Sequence, residues 1–222
     1  EIHERLVGSE MCIRDRFYYN PLNGFCKHKV WLFTAYERRK IINGRKILRV
    51  SGCVTEAEPD TLVIEKPSPD QWSHPRSEVP EKAIVSESWL LFMVHALAIL
   101  SKPFSIKLEK EKLLRDVLDG YGIKFDYVSS LKVLISQKQI FDVVLAFLPK
   151  PKKVIIECPY TIMGYVWSLH EHGIPVIELQ HGVLNDKHYA YNSEYRSNEL
   201  YPDTLCAVSY THLRAHETLM NL

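Results

Sequence analysis

The fold is indicated by a short apolar stretch that stops at a polar turn, Ile174-Pro175-Val176-Ile177-Glu178-Leu179-Gln180-His181-Gly182. A second apolar run, Lys153-Val154-Ile155-Ile156-Glu157, precedes it, and residues 161–172 between the two have helical spacing and end before Gly173. Short continuous apolar runs are typical of strands that are buried on both faces of a parallel sheet. Strand, helix and strand in this order predict a βαβ unit, and residues 203–206 are predicted to begin a third strand.

The chain before residue 153 is predicted to hold a small sheet followed by helices. Residues 29–34, 46–50 and 61–65 are predicted strands, and the dipeptide Asn43-Gly44 is a strong signal for a tight hairpin turn between the first two. Residues 66–81, rich in Pro, Ser and charge, are predicted to form a surface loop. Three helices are predicted, at residues 84–101, 105–118 and 126–148. The predicted class is therefore α/β, a Rossmann-like parallel sheet with a small preceding sheet and helices.

Composition and charge describe an ordinary globular protein. The chain has 222 residues, of which 46% are apolar and 25% are charged, and its net charge is +1. Its Lys and Arg residues are spread rather than clustered, which argues against a nucleic-acid partner. Its five cysteines form no C-x-x-C pair, which indicates free thiols in a reducing, cytoplasmic compartment. The longest apolar stretch, residues 89–100, is shorter than the ~20 residues that a membrane span needs. We expect it to be a core helix, with an interfacial position as the alternative.

Both ends of the chain are expected to lie outside the natural fold. Residues 6–16 and 207–218 resemble peptides translated from sequencing-adapter DNA, and neither segment shows a regular helical or strand period. The sequence therefore predicts artefactual tails at residues 1–16 and 207–222, and a domain at 17–206 that is a fragment broken at both ends. A real tail with local helix is the alternative.

The candidate chemistry lies where the apolar strands end. Ligands of parallel α/β sheets bind beyond the carboxyl ends of the strands, which is where Gln180 and His181 would stand. The imidazole of His181 can take a proton from a hydroxyl or bind a phosphate, while Gly182 allows a sharp turn. A purely structural hydrogen bond by His181 is an equal alternative. The Gln180 amide either orients a sugar hydroxyl or satisfies a strand-end carbonyl.

Other polar residues are weaker candidates. Glu178 is a carboxylate inside an apolar run, so it needs a partner and is predicted to be structural. His170 and His172 would diverge on a helix, so no metal site is predicted. Arg38 and Arg39 could bind an anionic group, although a solvated charge run is the commoner explanation.

The stretch at residues 174–182, followed by His188 and Tyr191, resembles the strand-and-loop signature of bacterial capsular and lipopolysaccharide glycosyltransferases. These enzymes have the GT-B architecture of two Rossmann-like domains. Arg38-Arg39, Asn43-Gly44 and Leu62-Val63-Ile64-Glu65 resemble the opening segment of such proteins. The resemblance covers roughly residues 29–206, and only the Gln-His-Gly turn is specific.

The resemblance implies that this chain is the N-terminal, acceptor-side domain of such an enzyme. His181 would be the catalytic residue, acting as general base or stabilising charge while a sugar or phosphosugar leaves a nucleotide donor. The substrate-binding residues would be Gln180, Gly182, His188, Tyr191, Arg38 and Arg39.

In the family a second Rossmann-like domain binds the nucleotide-sugar donor, so no cofactor is expected in this fragment. The fragment alone is therefore expected to be inactive. The implied partner is a sugar or lipid-linked saccharide acceptor, and lipid-linked acceptors would bring the protein to the periphery of the inner membrane.

A different class of function stays open. A non-catalytic α/β module of a polysaccharide-assembly system would have the same fold, because a fold does not determine a function. A nucleotide-sugar epimerase or a dehydrogenase is less favoured, because no G-x-G-x-x-G motif follows any predicted strand.

Overall fold

The computed structural model describes Phe25, residues 27–34, 39–66, 79–101 and 103–182, Tyr191, and residues 197–207. The predicted tail at residues 1–16 lies outside the described residues, as do most of the predicted loop at 66–81 and, except for Ala207, the predicted tail at 207–222. Arg38 and His188 also lie outside them.

The architecture is a parallel sheet with helices between its strands. The strands are β1 (Val30–Phe33), β2 (Lys40–Ile42), β3 (Arg45–Ile47), β4 (Thr61–Glu65), β5 (Ala83–Ser86), β6 (Lys153–Ile156), β7 (Val176–Leu179) and β8 (Thr204–Cys206). The helices are α1 (Gly52–Ala57), α2 (Ser88–Leu100), α3 (Glu111–Gly120), α4 (Tyr127–Phe147) and α5 (Met163–Glu171), with a short 3-10 turn at Pro159–Thr161.

Six strands form one sheet in the order β5-β4-β1-β6-β7-β8, and every neighbouring pair is parallel. Counted by themselves along the chain, these six strands follow the order 3-2-1-4-5-6, which is that of the doubly wound Rossmann fold. The predicted α/β class with a Rossmann-like parallel sheet is therefore confirmed. The direction of winding reverses between β1 and β6, so that the carboxyl ends of these two strands flank the switch point.

Among the described residues, the separate small sheet consists of the hairpin β2–β3. Asn43 has φ 50° and Gly44 has φ 76°, the left-handed pair that a two-residue hairpin turn needs, so the predicted turn is confirmed. The first strand of the hairpin is β2 and not the predicted strand at residues 29–34. The prediction that residues 29–34 and 61–65 share this sheet is wrong. β1 and β4 pair in parallel in the main sheet, because their side chains are buried on both faces and a tight turn joins only antiparallel neighbours.

A second correction concerns the predicted helix at residues 84–101. Its first residues belong to the edge strand β5, and α2 begins at Ser88. A continuous apolar run does not by itself distinguish a strand from a helix, and the β-branched pair Ile84-Val85 decides for the strand. Helix α3 also begins later than predicted, at Glu111.

The sheet is covered on both faces. On one face Trp31, Ile64 and Ile156 pack against α2, α4 and α5, where Phe141 stacks on Tyr165 with ring centroids 4.8 Å apart. Leu32, Val63, Ile84 and Ile155 face the other way and pack with Leu48, Val79 and the α1 residue Val54. The result is a three-layer arrangement in which the strands themselves form the middle of the core.

Helix α2 contributes Leu90 and Val94 to this core. Within the described part of the chain, no helix combines the length and the apolar character that crossing a membrane requires.

The junction of α4 and α5 positions the turn that follows β6. The buried Gln137 of α4 donates a hydrogen bond from Nε2 to the Thr161 carbonyl at 2.8 Å and accepts one from the Gly164 N–H at 3.1 Å. Gly164 lies so close to α4 that an added Cβ would stand 2.3 Å from the Leu134 carbonyl oxygen. The start of α5, and with it residues 159–161, is therefore held at a set place beside the sheet edge.

Candidate functional site

Buried polar residues line the carboxyl edge of the sheet. Each directly follows the last residue of a parallel strand and is at most 7% exposed: Thr34, Lys66, Glu87, Glu157 and Gln180. Burying such groups is costly unless they have polar partners. A row of them at the edge where α/β proteins bind ligands marks this edge as the candidate functional site. Sequence reasoning identified it only after β6 and β7, because the ends of β1, β4 and β5 become neighbours only in the folded sheet.

Gln180 shapes the turn that carries His181. Its backbone N–H donates to the Cys206 carbonyl at 3.0 Å, which extends the pairing of β7 with β8. Its side-chain Nε2 donates to the Gly182 carbonyl at 2.9 Å. The side-chain amide nitrogen of Gln180, which was predicted to contact a substrate, thus forms a hydrogen bond across the turn that contains His181.

Three aromatic rings meet beside this turn. Tyr160, from the turn after β6, packs edge-to-face on His181 with centroids 6.5 Å apart and on Tyr191 with centroids 6.0 Å apart. The Tyr191 hydroxyl donates a hydrogen bond to Oε1 of Glu178, a residue only 1% exposed in the middle of β7. A carboxylate inside an apolar strand needs a hydrogen-bond partner, and the Tyr191 hydroxyl is one for Glu178. The fold therefore brings His181 and Tyr191 together, and adds Tyr160 and Glu178.

The two tyrosine hydroxyls of this cluster, and the nearby Cys158 thiol, are held in their protonated forms. Burial raises the pKa of Tyr160 to about 12, against the opposing effect of the Tyr191 hydroxyl. Burial and the hydrogen bond to Glu178 raise the pKa of Tyr191 as well. Burial likewise raises the pKa of the Cys158 thiol, which follows Glu157. At neutral pH the tyrosines are hydrogen-bond donors, and Cys158 is not a reactive thiolate.

Glu87 lies at the other end of the edge, after β5. It is 1% exposed, and its Oε1 has no hydrogen-bond partner among the described residues. Burial raises the pKa of Glu87 to about 7, although the nearby Lys66 ammonium lowers it. The sequence does not single out Glu87, because it lies within the helix predicted at residues 84–101, and its place after a strand follows only from the structure.

Glu87 should make the stability of the fold fall as pH rises through its raised pKa. Between pH 4.5 and about 7 the folded state keeps a proton that the unfolded state loses, so folding weakens with increasing pH by ~3 kcal/mol. We expect Glu87→Gln, which resembles the protonated carboxyl group, to flatten this profile and to stabilise the protein at pH 8. Urea unfolding at pH 5 to 8 measures both effects. Glu109→Gln in an exposed loop is the control, and identical pH profiles for Glu87→Gln and the wild type would contradict the assignment.

Arg39 is used inside the fold. Its guanidinium is inaccessible and binds Glu65 through two nitrogens, at 2.7 and 3.2 Å. Nη1 also donates to Glu81 at 2.7 Å and to the Lys46 carbonyl at 3.0 Å. These bonds tie the segment before the hairpin to β4 and to the residues before β5. Arg39 is therefore not a solvated surface charge, and the contacts of its guanidinium with Glu65, Glu81 and Lys46 lie within the fold.

A small pocket of about 260 Å³ lies away from this edge, beside α1 and the first residues of β4 and β5. It is lined by mixed charges, including Arg45, Glu56, Glu81 and Lys82. None of the predicted site residues contributes to its wall.

Within the described ranges, no cluster of three or more histidine, cysteine or acidic side chains could hold a metal ion. His170 and His172 have separate partners. His170 Nδ1 lies 3.0 Å from the Glu199 carbonyl, and His172 Nδ1 lies 2.8 Å from the Ser168 carbonyl.

The fold and the polar edge define an α/β protein with a Rossmann-like parallel sheet and a histidine turn at the carboxyl end of β7. Compared with protein-family models, with curated proteins and with solved structures, the chain has no match. The class of fold is therefore established by the strand order, and the activity is a matter for proposal.

Proposed function

We propose that this chain is the acceptor-side part of a glycosyltransferase, which transfers a sugar or phosphosugar from a nucleotide donor to a surface-polysaccharide or lipid-linked acceptor. The observation that carries the proposal is the His181 turn, which stands at the ligand-binding edge of a Rossmann-like sheet among Tyr160, Tyr191 and Glu178. The resemblance of residues 174–182 to capsular and lipopolysaccharide transferases gives the class of reaction.

Transfer to a hydroxyl needs a base at the attacking oxygen. As the acceptor oxygen bonds to the anomeric carbon, or to phosphorus for a phosphosugar, the hydroxyl proton leaves and the bond to the nucleotide breaks. The imidazole of His181 would accept this proton. Tyr160 and Tyr191, which remain protonated at neutral pH, would act only as donors. The nucleotide sugar would be bound by the second Rossmann-like domain of the full-length enzyme.

A lipid-linked acceptor would place the protein at the inner membrane. Helix α3 fits this part of the proposal, because Leu113, Val117 and the following Tyr121 are exposed along one side of it. Its opposite side carries the ion pair between Glu111 and Arg115. A helix with one apolar and one charged side is the form that lies in a membrane interface.

The first test is binding of acceptor saccharides by the chain itself. Saturation-transfer NMR with defined capsular and lipopolysaccharide oligosaccharides should detect binding to the wild type. His181→Ala should weaken that binding about tenfold, because it removes a hydrogen-bonding group from the centre of the site. His172→Ala is the matched control, since His172 bonds to its own helix end at Ser168. Equal affinity of wild type and His181→Ala would remove His181 from the site.

The fragment part of the proposal has its own readout. Incubation of the chain with nucleotide sugars and these acceptors should yield no product if, as proposed, a second Rossmann-like domain binds the donor. Measurable transfer by the 222-residue chain would refute this part.

A non-catalytic α/β module of a polysaccharide-assembly system is the second candidate. It is favoured by the structural use of Gln180 and Arg39, two residues predicted to contact substrate. If this chain is a non-catalytic module of a longer protein, His181→Ala should leave the rate of sugar transfer by that protein unchanged. If His181 is the catalytic base, the same substitution should lower kcat about 10²- to 10⁴-fold.

A further inference from the structure

We propose that Glu178 is a positioning residue for His181 and acts through Tyr191 and Tyr160. The catalytic importance of this positioning rests on the proposed function, whereas the contacts among these four residues are seen in the structure whatever the function is. Glu178 was expected to be only a structural carboxylate with an unknown partner.

The first link ties Tyr191 to the sheet. Glu178 is buried within β7, directly beside Ile156 of β6, and its carboxylate accepts a hydrogen bond from the Tyr191 hydroxyl. A hydrogen bond to an ionised acceptor is stronger than one between neutral groups, and inside the protein it is poorly screened. The position of the Tyr191 ring is therefore set by a residue of the rigid sheet.

The second link passes from ring to ring. Tyr191 packs against Tyr160 at an interplanar angle of 74°, and Tyr160 packs against His181 at 63°. Edge-to-face contacts of this kind are directional, so each ring limits the orientation of the next. Tyr160 itself stands on the 3-10 turn after β6, which Gln137 and the start of α5 hold in place. His181 is thus oriented from both neighbouring strands, β6 and β7.

A carboxylate in this position has a specific advantage. A buried carboxylate without a hydrogen-bond donor is costly, so breaking the hydrogen bond from Tyr191 would be strongly unfavourable. An amide at position 178 would still accept the Tyr191 hydrogen bond, although more weakly, and an alanine would accept none. The expected order of disturbance at His181 is therefore Glu178→Ala first and Glu178→Gln second.

The test follows the His181 ring directly by NMR of the chain labelled with ¹³C-histidine. The His181 signal is identified by its absence from the spectrum of His181→Ala. Tyr191→Phe and Glu178→Ala should each move this signal and change its titration midpoint by about half a pH unit or more. Glu178→Gln should recover part of the wild-type behaviour. The signals of His170 and His172 should stay in place, which reports an intact fold.

Tyr127→Phe is the matched control, because the Tyr127 hydroxyl also donates to a carboxylate, that of Glu111, at 3.1 Å on helix α3. It should leave the His181 signal unchanged. An unchanged His181 signal in a folded Tyr191→Phe chain would overturn the proposal. That variant loses only one oxygen, so it decides the matter even where Glu178→Ala does not fold. Since the readout needs no saccharide, its failure is distinguishable from a failure of the proposed function.

Discussion

Replacing Gly164 by alanine is expected to lower the free energy of unfolding by about 3 kcal/mol. The new Cβ would stand 2.3 Å from the Leu134 carbonyl oxygen, 2.5 Å from the Gln137 Cβ and 2.9 Å from the Lys138 nitrogen. Two of these three atoms belong to the backbone of α4, which cannot move aside as a flexible side chain would. Helices α4 and α5 must therefore separate, and the aromatic stack of Phe141 on Tyr165 must loosen with them.

Urea unfolding followed by circular dichroism measures this loss. Gly120→Ala is the matched control, because Gly120 is also helical and an added Cβ there meets nothing within 4 Å. Alanine is favoured over glycine within helices, so the control should be unchanged or more stable by up to about 1 kcal/mol. Equal midpoints for Gly164→Ala and the wild type would show that α4 and α5 do not approach this closely.

Arg39→Ala is the second change with a large expected effect, a loss of about 3–5 kcal/mol. The variant leaves the side chain of Glu81, which is 1% exposed, without the cation that it faces. It also removes the two hydrogen bonds to Glu65 and the one to the Lys46 carbonyl. The penalty arises mainly from the carboxylates left behind, because a buried charge without a partner is far less stable than a buried pair.

The matched control is Arg115→Ala, which breaks an exposed ion pair with Glu111. Exposed pairs of this kind contribute little, so its loss should stay below about 1 kcal/mol. Adding Glu81→Gln to Arg39→Ala should recover part of the stability, because the two changes act on one interaction. If Arg39→Ala cost no more than Arg115→Ala, the buried network would not be a stabilising feature.

These two sites show different limits of prediction from sequence. Gly164 lies within a predicted helix, where a glycine only lowers helix propensity, and its close approach to α4 depends on how two helices meet. Arg39 belongs to a run of charged residues that resembles a solvated connection. Its partners Glu65 and Glu81 are distant in sequence, so only the folded chain identifies them.

Strands of the main sheet were predictable where a short run of neighbouring apolar residues marked them. Residues 153–157 and 174–179 carry continuous apolar runs with a helix between them, and they form β6 and β7 as predicted. The membership of β1 and β4 was not predictable, because strand pairing depends on burial across the whole sheet. Ile84 and Val85 show the same limit, since a run of apolar residues suits a buried strand and a buried helix alike.

The candidate site likewise combines residues that the sequence identified with contacts that only the structure shows. Gln180 and His181 were identified from a strand that ends in a polar turn, and Tyr191 from the resemblance to surface-polysaccharide transferases. The contacts of His181 and Tyr191 with Tyr160 were not predicted. Tyr160 follows another strand, and the Glu178 partner could not be named before the chain was folded.

The sequence by itself determined the local elements, namely the hairpin at Asn43-Gly44, the βαβ unit and the histidine turn after β7, because backbone preference and apolar period act over a few neighbouring residues. The tertiary structure alone decided the strand order, the burial of Arg39 and the alignment of Glu178, Tyr191 and Tyr160 behind His181. These features depend on contacts between residues far apart in the chain, and their free energy is gained only when the sheet and its covering helices form together.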